Sequence, residues 1–138
     1  MILNLHVVGP ASNVAQFGEA LQLALRVTTE GAGVLPDWLR QEFTPESTPD
    51  EKARWLNEWR MESDEGKARM ERERGWEMSN WLYWVSGENG FWGIENITQG
   101  DGASLVLELN VADWPAPVAA LEWLAERTGV TVDEVDFC

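Results

Sequence analysis

The sequence predicts an α+β fold, in which a small antiparallel sheet is covered by helices on one face. Two patterns lead to this prediction. Apolar and polar residues alternate in short segments at the N-terminus and after residue 90, with the period of β-strands. Elsewhere apolar residues recur every three or four positions, as on one face of an α-helix. The length of 138 residues favours a single domain that spans residues 1–138.

The first two predicted elements are a strand over residues 2–8 and a helix that follows it. Alternation in the strand puts Leu3, Leu5 and Val7 on one face. Gly-Pro ends the strand, and the serine or asparagine that comes next can cap a helix. The apolar face of that helix is predicted from five residues at helical spacing: Val14, Phe17, Leu21, Ala24 and Leu25.

A helical, tryptophan-containing insert is predicted at about residues 35–86. Thr48 is a candidate helix cap, and Glu51 can complete a capping box with it. Trp55 and Trp59 follow four residues apart, which gives the helix one aromatic face. The dense aromatic stretch at the end of the insert is typical of a core that seals inserted helices onto a sheet.

The remaining elements are a hairpin, a helix and a final strand. Two alternating segments flank the turn QGDG, which favours a hairpin. The next helix begins after prolines and ends at Gly129. The last strand changes phase at Asp133 and Glu134, which indicates a bulge. The order is therefore β-α-[helical insert]-β-β-α-β. This is the ferredoxin-like split β-α-β arrangement of an antiparallel sheet, with helices packed on one face.

Three segments carry a resemblance to a known family. They are the opening NLHVVGP, the tryptophan-rich middle of the chain, and the segment DWPAPVAALEWLAE at the second helix. In these the chain resembles the YubB-type ferredoxin-like domain family of phage, plasmid and bacterial proteins. Two departures are the absence of the family's lysine in NGFWG and the alanine at position 116, where a proline is common. The resemblance implies the fold and a mobile-element setting, and it implies no chemistry.

The charge is strongly negative and unevenly distributed. The net charge is −14, and residues 78–138 hold ten acidic residues against Arg127 alone. Direct binding of nucleic acid or of an anionic membrane is not expected, because binding to phosphates requires lysine and arginine, and acidic residues greatly outnumber them here. A basic protein or nucleoprotein complex is the partner that such a field would steer. The N-terminus lacks a signal-peptide pattern and Cys138 is the only cysteine, so we expect a cytoplasmic protein without disulfides.

Candidate partner-binding residues are two tryptophans and a set of acids. Trp92 and Trp114 are predicted to be exposed anchors, because each lies at a junction flanked by glycine or proline. If several acids share one face, they can imitate the charge of a nucleic-acid backbone. The predicted acidic residues are Glu95, Asp101, Asp113, Glu126, Asp133, Glu134 and Asp136.

These observations predict a non-enzymatic interaction protein, an inhibitor of phage or mobile-element origin that binds a basic, nucleic-acid-handling host defence protein. No pattern of catalytic or metal-ligating residues is present in the sequence, and no cofactor is expected. One alternative is an immunity protein that neutralises a basic toxin. Another is a small-ligand or enzymatic domain that uses the open sheet face near His6. A homodimer formed through that face also stays open.

Overall fold

The computed structural model describes residues 1–100, 103–113 and 117–137, and it has a mixed α+β architecture. Four strands form one antiparallel sheet in the order β2-β3-β1-β4. Their bounds are β1 Ile2–Val8, β2 Trp92–Gln99, β3 Leu105–Val111 and β4 Thr131–Phe137. The predicted α+β class with an antiparallel sheet is confirmed.

Helices account for most of the rest of the chain. Their bounds are α1 Ala11–Leu25, α2 Val27–Glu30, α3 Asp37–Arg40, α4 Pro49–Arg60, α5 Asp64–Arg74, α6 Met78–Val85 and α7 Ala119–Thr128, with a 3-10 turn at Ala32–Val34. Helices α3 to α6 occupy the predicted insert. None of the helices in the described ranges is long and apolar enough to cross a membrane.

The core lies between one face of the sheet and the helices. Alternation along β1 and β3 turns every second side chain inward, so the leucines and valines at those positions are buried. They pack with the apolar faces of α1 and α7 in one cluster. The prediction for Leu25 was wrong: it is the last residue of α1, and its side chain is 38% exposed at the end of the helix.

Two of the strands carry irregularities that change which side chains face the core. The register of β2 shifts between Ile94 and Asn96, so Ile94 and Ile97 both pack on the core while Glu95 is exposed. The register between β1 and β4 shifts between the partners of Leu5 and Asn4. This second irregularity falls next to the phase change predicted for the last strand.

Helices α4 and α5 form a hairpin that stands off the core. The predicted capping box between Thr48 and Glu51 is present at the start of α4. Trp55 and Trp59 stack with ring centroids 6.3 Å apart. Helix α4 has no buried residue, and Gly66 is the one buried residue of α5. The hairpin is therefore stabilised by its own caps and aromatic contacts, without burying an apolar face in the core.

A polar clamp joins the two chain segments at the base of this hairpin. The backbone N–H of Thr44 donates to the carbonyl of Trp76 at 2.8 Å. The carboxylate of Glu77, which is 2% exposed, accepts a hydrogen bond from the backbone N–H of Ser47 at 2.5 Å. Arg74 donates to the same carboxylate at 2.7 Å. These contacts fix the hairpin at both ends.

Candidate functional site

The face of the sheet opposite the core is open. On β1 it carries Asn4 and His6, which alternate with the buried leucines and are themselves half-buried. On β3 it carries Val106, Glu108 and Asn110, which pair with the outward-facing residues of β1 and alternate with the buried residues of β3. This surface, together with the outward residues of β2 and β4 that pair beside it, is called the open sheet face below.

Two of the predicted acids, Glu95 and Asp133, lie on the open sheet face together with Glu108, which was not among the predicted site residues. The side-chain amide of Asn110 donates to the carboxylate of Glu95 at 3.2 Å, so Glu95 is on this face. Glu108 is paired with Asn4 of β1, and Asp133 of β4 is paired with His6. The sheet therefore brings together acids that are far apart in the sequence.

The strands carry acidic residues and no basic ones. Within the strand bounds there is no lysine or arginine, whereas five acidic residues lie there: Glu95, Glu108, Asp133, Glu134 and Asp136. All ten lysine and arginine residues lie in helices or at a helix end. Their positions are Arg26, Arg40, Lys52, Arg54, Arg60, Lys67, Arg69, Arg72, Arg74 and Arg127. The sheet is thus acidic, whereas the helical layer carries acidic and basic residues together.

The prediction that Trp92 is an exposed anchor was wrong. Trp92 is 2% exposed, pairs with Val111 on the core side of the sheet, and donates from its indole to the carbonyl of Pro117 at 2.8 Å. Its neighbour Phe91, which directly precedes β2, is 56% exposed. Flanking glycines indicate a junction, but they do not determine which residue of the pair faces solvent.

Phe91 belongs to an exposed aromatic cluster with Tyr83 and Trp84. The rings of Trp84 and Phe91 stack at 6.0 Å, and Tyr83 meets Trp84 edge-on at 6.1 Å. The carbonyl of Phe91 accepts from the backbone N–H of Ala112, directly after β3. The cluster therefore lies at the end of the sheet where β2 begins and β3 ends.

The other predicted residues are divided among several places. Asp113 is exposed in the segment after β3, next to the aromatic cluster. Glu126 is exposed on α7, in the helical layer rather than on the sheet. Asp101 and Trp114 lie outside the described residues, as do the side chains of Glu134 and Asp136.

A second surface, which the sequence did not indicate, is a groove between the α4–α5 hairpin and helices α6 and α7. Its volume is about 880 Å³, and four tryptophans line it: Trp55, Trp59, Trp76 and Trp123. We call it the tryptophan groove. The spacing of Trp55 and Trp59 indicated one wall, but the opposite wall comes from residues far away in sequence, and only the tertiary fold joins them.

Core packing accounts for other aromatic residues. Trp81 is fully buried, and its indole donates to the carbonyl of Ala120 on α7 at 3.0 Å. Its ring meets Phe43 at 5.5 Å and Trp123 at 6.1 Å, while Phe43 and Trp123 stack at 5.1 Å. These contacts seal the insert onto the core, as predicted for the aromatic stretch.

The clamp carboxylate is held in its charged form. Burial raises the pKa of Glu77, but the hydrogen bond from the backbone of Ser47 and the pairing with Arg74 outweigh that effect, so the net pKa is lowered. Glu77 already has protein partners for its charge, and this role is structural.

Among the described residues, no group of three or more histidine, cysteine, aspartate or glutamate side chains is arranged to hold a metal ion. No protein-family model matches the chain, and neither the curated proteins nor the solved structures contain a match to it. Function is therefore argued from the surfaces themselves.

Proposed function

We propose that this protein binds a basic, nucleic-acid-handling protein through its open sheet face, without catalysing a reaction. The observation that supports the proposal is the absence of basic residues from the sheet: the strands hold five acidic residues and no lysine or arginine. A surface of one sign attracts a partner of the opposite sign and raises the rate of encounter.

The acids and the aromatic cluster contribute different parts of the binding. Exposed ion pairs are worth about 0.2–1 kcal/mol each, so Glu95, Glu108 and Asp133 supply steering and orientation more than affinity. Burying roughly 100 Å² of the exposed Phe91 ring contributes about 2.5 kcal/mol at about 25 cal/mol per Å². The aromatic cluster is therefore the anchor in this proposal.

Charge density distinguishes two ways of blocking a nucleic-acid site. A strand of seven residues is roughly 24 Å long at about 3.4 Å per residue. A duplex of that length carries roughly 14 phosphate charges, at one per about 1.7 Å. The five strand acids fall well below this density. The protein would occupy the partner's basic surface by docking on it, rather than by copying the spacing of phosphates.

The proposal extends to the fold and its setting. The strand order β2-β3-β1-β4, with β1 antiparallel to both neighbours, supports a ferredoxin-like split arrangement. In this arrangement both helical crossovers lie on one side, which leaves the other face of the sheet available. The YubB-type resemblance and the role as a mobile-element inhibitor stay proposals alongside it.

A pair of charge-matched variants tests the proposed function. The sheet variant carries Glu95→Gln, Glu108→Gln and Asp133→Asn. The helix variant carries Glu58→Gln, Glu62→Gln and Glu73→Gln, which are exposed residues of the hairpin region. Both variants lose three negative charges, so a difference between them reports position and not net charge. Each tagged protein is used to capture partners from lysate at low salt, followed by a salt step.

The proposal predicts that wild type and the helix variant retain the same basic, nucleic-acid-binding protein, that the salt step releases it, and that the sheet variant retains much less. Added duplex DNA should bind the captured partner in competition with the tagged protein and so reduce its retention. Equal retention by the two variants, or a retained partner that is acidic, would contradict the proposal.

A further inference from the structure

The tryptophan groove has the dimensions of a ligand site. Its volume of about 880 Å³ lies within the range of about 300–1,000 Å³ found for small-molecule sites. It lies in the helical layer, whereas the open sheet face is on the other side of the sheet. An inference about the groove therefore does not depend on the function proposed for the sheet.

Three of the four groove tryptophans already bind cations of this chain. The ammonium of Lys67 lies 4.7 Å from the ring centroid of Trp59. The guanidinium of Arg74 lies 4.6 Å from Trp55, and that of Arg127 lies 5.4 Å from Trp123. In the described part of the chain no lysine or arginine lies over the fourth ring, Trp76. That ring is half-buried, and it lines the groove.

Two carboxylates lie on the α7 side of the groove, whose lining also includes Glu71, Arg72 and Arg74 of α5. Glu122 and Glu126 are one turn apart on α7, exposed, and both line the groove. Like charges at this spacing repel by roughly 0.2–0.5 kcal/mol. The adjacent base, Arg127, is paired with Glu42 at 3.4 Å and lies over Trp123. A cation that enters the groove would relieve the repulsion and bring a charge to the face of Trp76.

We propose that the tryptophan groove binds an arginine side chain of a partner polypeptide, with the guanidinium over Trp76 and paired with Glu122 and Glu126. Arginine fits better than lysine because its planar group stacks on a ring while its several N–H donors reach two carboxylates at once. The chain's own contacts have the same character, since two of the three cations over groove rings are guanidinium groups.

The test uses a blocked tripeptide, acetyl-Gly-Arg-Gly-amide, titrated into the full chain at low salt. Its matched control contains citrulline, which keeps the shape of arginine without the charge. Binding is followed by NMR from the indole N–H signals, assigned by single Trp→Phe substitutions. The expected result is saturable movement of the Trp76 and Trp123 signals with the arginine peptide, while the signal of the buried Trp92 stays in place.

Two double variants locate the interaction. Glu122→Gln with Glu126→Gln should weaken binding of the arginine peptide about fivefold, as expected for the loss of two exposed ion pairs. Glu95→Gln with Glu108→Gln removes the same charge from the open sheet face and should leave the affinity unchanged. All four residues are exposed or half-buried, so both variants should fold. Equal shifts with the citrulline peptide, no shift at Trp76, or equal losses in the two variants would overturn the proposal.

Discussion

The substitution Glu77→Gln tests the polar clamp at the base of the hairpin. In the wild type the carboxylate of Glu77 accepts from the backbone of Ser47 and from Arg74 at 2.5 and 2.7 Å. Glutamine keeps one oxygen for Ser47 but presents no charge to Arg74. The variant therefore isolates the charge-assisted part of the clamp with little change in side-chain volume.

The loss of stability expected for Glu77→Gln depends on how far Glu77 and Arg74 are exposed to water. A hydrogen bond to a charged group contributes about 1.5–3 kcal/mol when both partners are buried. Glu77 is 2% exposed, but the side chain of Arg74 is 29% exposed, so water compensates part of the loss. We expect Glu77→Gln to lower the free energy of unfolding by about 1–2 kcal/mol at pH 7.

The loss of stability caused by Glu77→Gln should become smaller as the pH is lowered. The pKa of Glu77 in the folded state is lowered from its ordinary value of 4.5. Its contribution is therefore fully present above that value, and it is lost as pH falls through the folded pKa. The difference between wild type and variant should be largest near neutral pH and should shrink below about pH 4.5.

Urea unfolding of both proteins between pH 3 and pH 7, followed by tryptophan fluorescence, measures this difference. Glu73→Gln in α5 is the control, because Glu73 is exposed and its substitution removes the same charge. A Glu77→Gln protein as stable as wild type at pH 7 would refute the reasoning. So would a deficit that stays constant as the pH is lowered.

Three further predictions concern stability. Trp81→Phe removes the hydrogen bond from the indole to the carbonyl of Ala120 and leaves a small cavity, so the free energy of unfolding should fall by about 2–4 kcal/mol. Urea titrations measure this change, and a loss under about 1 kcal/mol would contradict the packing described. Thr48→Ala removes the cap of α4 and should cost about 1 kcal/mol with reduced helical circular dichroism, whereas an unchanged spectrum would argue against the capping box. Gly129 has a φ of 72°, and the Cβ of Gly129→Ala would lie 3.0 Å from the side-chain amide nitrogen of Asn13. The substitution should therefore lower the free energy of unfolding by about 1–2 kcal/mol, and an unchanged midpoint in thermal unfolding would be inconsistent with this geometry.

The strands and two of the helix ends could be predicted because their signals are local, whereas the serine or asparagine predicted to cap α1 lies inside that helix, which begins at Ala11. In residues 2–8 the alternation of apolar and polar residues matches the burial of every second side chain. Thr48 and Gly129 cap helix ends by satisfying backbone groups only a few positions away. The bulge in β2 had no comparable signal. It depends on Ile94 and Ile97 both reaching the core, and that requirement appears only when the partner strand is in place.

The candidate surfaces were predicted less completely, since they are assembled from distant segments. An excess of acids was visible in the sequence, but strand pairing determined that Glu95, Glu108 and Asp133 share one face while Glu126 lies on another. The anchor prediction selected Trp92 because it lies at a junction flanked by glycine, whereas strand alternation buries Trp92 and the exposed ring is that of Phe91, which precedes the strand. Trp55 and Trp123 line the tryptophan groove although about half of the chain separates them in sequence, and no local pattern encodes that proximity.

The most direct test of the proposed function is a map of the bound surface. Amide hydrogen exchange of the full chain would be compared with and without the basic protein captured in the paired-variant experiment. Docking on the open sheet face predicts added protection in β2 and β3 and in the segment around Phe91, with little change in α4 and α5. Protection confined to the α4–α5 hairpin or to α1 and α7, with the strands unchanged, would contradict docking on the open sheet face.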